Sequence, residues 1–101
     1  MKEKLLQIIN HYGVMPQLKY IHSEYFELDE VIVACEESGE LSEYYQDNIA
    51  GEIVDVEMML DQFKVYYGIS QEKINEIKSY KANRQLKRIE EEKNGRNLVN
   101  N

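Results

Sequence analysis

Apolar residues recur at steps of three and four through most of this chain, and that period belongs to helices. Four runs carry it. The first is Leu5, Ile8, Ile9 and Tyr12; the second is Leu18, Ile21, Tyr25, Leu28, Ile32 and Cys35. The third is Ile49, Ile53, Val56, Leu60, Phe63 and Tyr67, and the fourth is Ile74, Ile77, Leu86 and Ile89. No stretch alternates apolar and polar residues long enough to make a strand. Val31-Ile32-Val33 is β-branched throughout, but it lies inside the second helical period. The expected fold class is therefore all-α, with four helices.

Punctuation residues set the expected boundaries. Gly13 ends a first helix over 2–12, and Pro16 suits the first turn of the second. Gly39 and the polar run around it mark a reversal, which two antiparallel helices require. Asp47 or Asn48 is the expected cap of the third helix, and Gly68 closes it. Ser70 caps the fourth, with Glu72 in its first turn, where the helix dipole favours an acid. Residues 1–93 make one helical domain, and 94–101 are expected to fray as a tail.

At 101 residues the chain can build a modest core, and a chain of this size often gains further burial by oligomerising. Its net charge of −7 argues against nucleic acid as a partner, because phosphate contacts need a basic surface. Cys35 is the single cysteine, so no internal disulfide can form. With no visible signal peptide, that fits a cytoplasmic protein. No apolar run approaches the length of a membrane span, so no membrane partner is expected.

The chemistry centres on acids. In Gly51-Glu52-Ile53-Val54-Asp55-Val56, the carboxylates of Glu52 and Asp55 stand three residues apart on one helix face, beside an apolar seam. Glu24 and Glu27 hold the same place beside the second helix's seam. Facing each other, the two pairs would bring four carboxylates to one spot, where they repel unless a cation joins them. Hard oxygen donors suit Mg²⁺ or Mn²⁺, and Mg²⁺ commonly completes its shell with substrate phosphates. Taken on spacing alone, such acids are more often solvated helix edges. Glu36, Glu37 and Glu40 form a second ExxE set that could serve instead of Glu24 and Glu27, though its apolar support is thin. Lys78, Lys81, Arg84 and Arg88 make a basic stripe on the fourth helix, able to meet an anionic ligand or simply to face solvent. Cys35 falls on an apolar seam and reads as core. His11 and His22 lack partners at metal-ligand spacing. The eight tyrosines suit an interface or stacking on a base.

Several motifs together carry a resemblance. Tyr12-Gly13-Val14, Gln17-Leu18, Glu24-Tyr25-Phe26-Glu27-Leu28 and, after a spacer of 24 residues, Glu52-Ile53-Val54-Asp55-Val56 resemble the MazG-like nucleoside triphosphate pyrophosphohydrolases. That family is all-α and binds Mg²⁺ through EExxE and ExxD motifs. Glu36-Glu37-Ser38-Gly39-Glu40 is the more literal EExxE, but it leaves a short spacer and loses the upstream match to Gln17-Leu18. Lys78 with Asn83-Arg84 is similar to the family's K-x-x-x-x-N-R element, which contacts nucleotide. Ser23 departs from the pattern, standing where the family commonly has a further Glu.

The resemblance covers about residues 5 to 90 and implies a four-helix subunit whose bundle is completed in a homodimer or homotetramer. It implies hydrolysis of a (d)NTP to (d)NMP and pyrophosphate. Glu24, Glu27, Glu52 and Asp55 would be the catalytic metal ligands for Mg²⁺ (or Mn²⁺), and Lys78, Lys81, Asn83 and Arg84 would bind substrate. Ser23 keeps a second expectation in view: a non-catalytic helical module that binds a nucleotide or a protein through a degenerate metal site.

Overall fold

The computed structural model describes the backbone of residues 1–100 and the side chains of residues 1–95. Four helices follow one another: α1, Lys2–Tyr12; α2, Val14–Ser38; α3, Glu43–Tyr66; and α4, Gln71–Asn100. The described residues contain no strand. The chain divides into two compact units, residues 1–68 and 69–101. The first holds α1, α2 and α3, and the second holds α4.

One residue separates α1 from α2. Gly13 takes φ 93, a conformation that side-chain-bearing residues rarely adopt, and its N–H donates to the Ile9 carbonyl at 2.7 Å. A Cβ there would also stand 3.4 Å from the Cδ of Pro16. Pro16 lies in the first turn of α2, where its missing N–H is no loss. At the other end Gly39 takes the left-handed conformation (φ 71) and returns its N–H to the Glu36 carbonyl.

The third helix begins earlier than Asp47 or Asn48 would have it. Ser42 is extended, and its Oγ accepts from the Tyr45 N–H at 3.3 Å. Once Ser42 satisfies that first-turn donor, Asp47 and Asn48 are carried into the helix interior. The fourth helix starts where Ser70 places it: the Lys73 N–H reaches Ser70 Oγ at 3.1 Å. It continues without interruption to Asn100, so the stretch expected as a tail is helical through that residue. The side chains of 96–101, and all of Asn101, lie outside the described residues.

In the first unit α2 and α3 run antiparallel through the 39–42 reversal, with α1 against both. The apolar core is small: Leu5, Ile9, Ile21, Cys35, Val56 and Met59. Three polar side chains are buried with it, namely Gln17, Glu24 and Gln62. Only half of each expected seam is inside. Along α2, Ile21 and Cys35 are buried, whereas Leu18, Tyr25 and Ile32 remain 40–49% exposed. Along α3, Val56 is buried, whereas Ile53 and Leu60 are 40% and 42% exposed. Each exposed set recurs every seven residues, the spacing of a seam that packs against another helix.

Candidate metal centre and the groove beside it

Antiparallel packing of α2 on α3 brings the two acidic pairs together. One oxygen each from Glu24, Glu27, Glu52 and Asp55 lies within 4.8 Å of every other. Glu24 is buried, Glu52 half-buried, and Glu27 and Asp55 are exposed. The set thus opens from the core toward solvent. No other group of three or more metal-ligating side chains converges among the described residues. Glu36, Glu37 and Glu40 stay apart from it, exposed at the end of α2 and in the loop that follows.

Two oxygens in this cluster are unusual. Oε2 of Glu24 and Oε2 of Glu52 are both buried, and neither has a hydrogen-bond donor. A buried carboxylate oxygen without a partner is costly, more so beside other carboxylates. Burial pushes the Glu52 carboxyl above its usual 4.5, and the charges of Glu27, Asp55 and Glu24 push it further. Tyr20, one turn before Glu24, is affected too. A hydrogen bond to Glu24 and that carboxylate's charge, with burial and the charges of Glu27 and Asp55, raise its phenol above the usual 10.

The donor set fits a hard divalent cation. It is all carboxylate oxygen, it carries orphaned buried lone pairs, and its span is close to that of a shared ion. Ligands on opposite sides of Mg²⁺ stand about 4.2 Å apart, from metal–oxygen distances of about 2.1 Å. The cluster's span, up to 4.8 Å, is somewhat wider, so its oxygens would have to draw in to share one ion.

Two members of the cluster border a cavity of about 520 Å³. Glu24 and Asp55 edge it, and the rest is largely apolar: Ile8, Pro16, Met58 and Met59. The rings of Tyr12 and Tyr20 line its exposed side. Gln17 and Gln62, 7% and 3% exposed, meet inside it. Gln17 Nε2 donates to Gln62 Oε1 at 2.7 Å, bridging the start of α2 and the end of α3. Gln62 Nε2 has the Met59 thioether at 3.8 Å, a weak acceptor.

Besides Glu24 and Asp55, the sequence placed Tyr12 and Gln17 in motifs of the resemblance but gave neither a role in the site, and it did not single out Gln62. A signal was present: Gln17 precedes Glu24 by seven residues and Gln62 follows Asp55 by seven, which places each amide two turns along from an acid.

Lys78, Lys81, Asn83 and Arg84 all lie on α4 in the second unit, and all are exposed. The Arg84 guanidinium sits 5.6 Å from the Tyr80 ring centroid, and Tyr80, Asn83, Arg84 and Lys87 line a shallow depression. No described helix is long and apolar enough to cross a membrane. Comparison with known proteins gives no match to a family model, a curated protein or a solved structure.

Proposed function

We propose that the protein is a Mg²⁺-dependent nucleoside triphosphate pyrophosphohydrolase that cleaves (d)NTP to (d)NMP and pyrophosphate and so cleans or adjusts a nucleotide pool. The convergence of Glu24, Glu27, Glu52 and Asp55, with two buried oxygens lacking donors, carries this reading. The resemblance of the same four residues, and of Lys78 with Asn83-Arg84, to the MazG-like pattern supports it. Bound at the tetrad, Mg²⁺ (or Mn²⁺) would neutralise phosphate oxygens and lower the pKa of water.

The chain's own groups then have defined tasks. Glu24 and Glu52, the more buried pair, would hold the metal from the core side. Glu27 and Asp55 stand at the solvent side, where water and phosphate arrive. A water oxygen adds to the α-phosphorus, and the bond from that phosphorus to the bridging oxygen breaks. Pyrophosphate leaves, and the water's proton passes to a carboxylate of the set. By the same resemblance, Lys78, Lys81 and Arg84 would stabilise charge on phosphates, and Asn83 would orient nucleotide. The exposed seven-residue repeats on α2 and α3 support assembly as a homodimer or homotetramer, in which they complete a helical bundle. No membrane or nucleic-acid partner is required, and the reaction suits the cytoplasm.

The test is pyrophosphate release from a panel of canonical and modified (d)NTPs with Mg²⁺ and Mn²⁺, with Glu52→Gln as control. Metal-dependent release that disappears in the variant supports the reaction. Absence of release by folded protein from every nucleotide rejects it, and favours a binding module in which Ser23 marks the weakened site.

A further inference from the structure

We propose that the groove between α1, α2 and α3 is a nucleobase pocket, in which the Gln17–Gln62 amide pair reads the base edge and the tyrosines and methionines cover its faces. This deepens, and rests on, the reading of the tetrad as a phosphate-handling site. It assigns the base to residues outside both the acidic motifs and α4.

Four observations lead there. First, the cavity of about 520 Å³ is large enough for a base with part of its sugar, and it shares Glu24 and Asp55 with the metal cluster. A ligand whose phosphates meet that cluster can therefore reach the groove with its other end. Second, the groove's only charged side chains are those two acids. With no cation among them, the apolar part does not suit a second anionic group and does suit a neutral ring.

Third, the two amides are nearly fully buried yet under-used. One hydrogen bond joins them, and the remaining contact of Gln62 Nε2 is to a thioether. An amide pair offers a donor and an acceptor side by side, the pattern that a base edge complements. Fourth, the walls suit a flat ring. Tyr12 and Tyr20 present aromatic surface at the open side, and Met58 and Met59 present polarizable sulfur. A prenyl or alkyl diphosphate would use the apolar walls but not the amides' remaining donors and acceptors, so a base-bearing nucleotide is the better occupant.

Methionine methyl groups report on this directly. The chain has four methionines, Met1, Met15, Met58 and Met59, and two of them line the groove. Full-length protein labelled with [¹³C-methyl]methionine is titrated with α,β-methylene analogues of the four dNTPs in the presence of Mg²⁺. Inorganic tripolyphosphate with Mg²⁺ is the base-free probe. We expect at least one nucleotide to shift the Met58 and Met59 signals by ring current and leave Met1 in place. Tripolyphosphate leaves Met58 and Met59 unmoved.

Tyr12→Ala, at an exposed position that spares the core, weakens nucleotide binding at least fivefold with no change for tripolyphosphate. The double variant Gln17→Leu/Gln62→Leu, which removes both amides together, does the same. The proposal is overturned if no nucleotide binds, or if Met58 and Met59 stay still at saturation. It is equally overturned if tripolyphosphate moves them as far, or if both variants bind nucleotide as wild type does. A nucleotide that seats in the groove but is never hydrolysed leaves this pocket standing and removes the reaction proposed above.

Discussion

Glu52 is the residue at which a proton, a bound metal and the fold would all act. Its carboxyl is raised above 4.5 by burial and by the charges of Glu27, Asp55 and Glu24. The folded protein therefore holds this proton to higher pH than the unfolded chain does. Its contribution to stability is fully present below 4.5 and is lost as pH rises from there through the raised value. Metal-free protein should accordingly unfold at lower temperature at neutral pH than at mildly acidic pH. Saturating Mg²⁺ or Mn²⁺ should narrow that difference and raise the neutral-pH midpoint. Metal at 100 times its Kd stabilises by about 2.7 kcal/mol. Calorimetric scans against pH, with and without metal, check both statements, and equal midpoints with and without metal would count against a preformed site. Glu52→Gln keeps the shape and removes the ligand charge, so turnover should fall by at least a hundredfold. Glu37→Gln, exposed and outside the cluster, should retain wild-type turnover.

At the scale of helices, the caps divide into those the sequence announces and one it conceals. Ser70 and Gly13 act where they were expected. Ser42 was hidden because the residues after it, Glu43 to Asn48, lack a clear apolar period, and Asp47 looked the better cap. Ser42→Ala should destabilise the first unit by about 1 kcal/mol, with α3 fraying at its start. Denaturant midpoints and amide exchange over residues 43–46 measure this, and an unchanged midpoint would show that the cap bond contributes little. On spacing alone the four acids read more readily as solvated helix edges; the motif resemblance singled them out, and the packing of α2 on α3 brings them together. The groove was not legible, because the tyrosines suited any interface or base and an isolated glutamine carries no spacing signal until packing buries it. The seams were legible as stripes, but the spacing did not reveal that half of each stripe would face outward. A helix with apolar residues on two adjacent strips has the same sequence period whether one strip or both are covered by its own chain.

For the molecule as a whole, charge is unevenly spread. Residues 1–68 hold fourteen acidic against four basic side chains, and residues 69–101 hold five against eight. The first unit therefore attracts cations beyond the four-carboxylate cluster, and metal affinity should weaken as ionic strength rises. The exposed repeats Leu18-Tyr25-Ile32 and Ile53-Leu60 make a further expectation. Sedimentation should show a dimer or tetramer, and Leu60→Glu or Ile32→Glu should lower the mass without loss of helical signal. A wild-type monomer at high concentration would remove the role given to these stripes.

Cys35 has been treated only as part of the core, yet its position makes it a timepiece. Its thiol is buried and donates to the Glu40 carbonyl at 3.6 Å, across the reversal that Gly39 and Ser38 shape. Cys35 is 8% exposed beside a depression lined by Gly39, Glu40 and Leu41, so a thiol-reactive dye should reach that sulfur faster whenever the 39–42 loop lifts away from the end of α2. As the chain has no other thiol, the rate of labelling reports on this single loop, without any engineered probe.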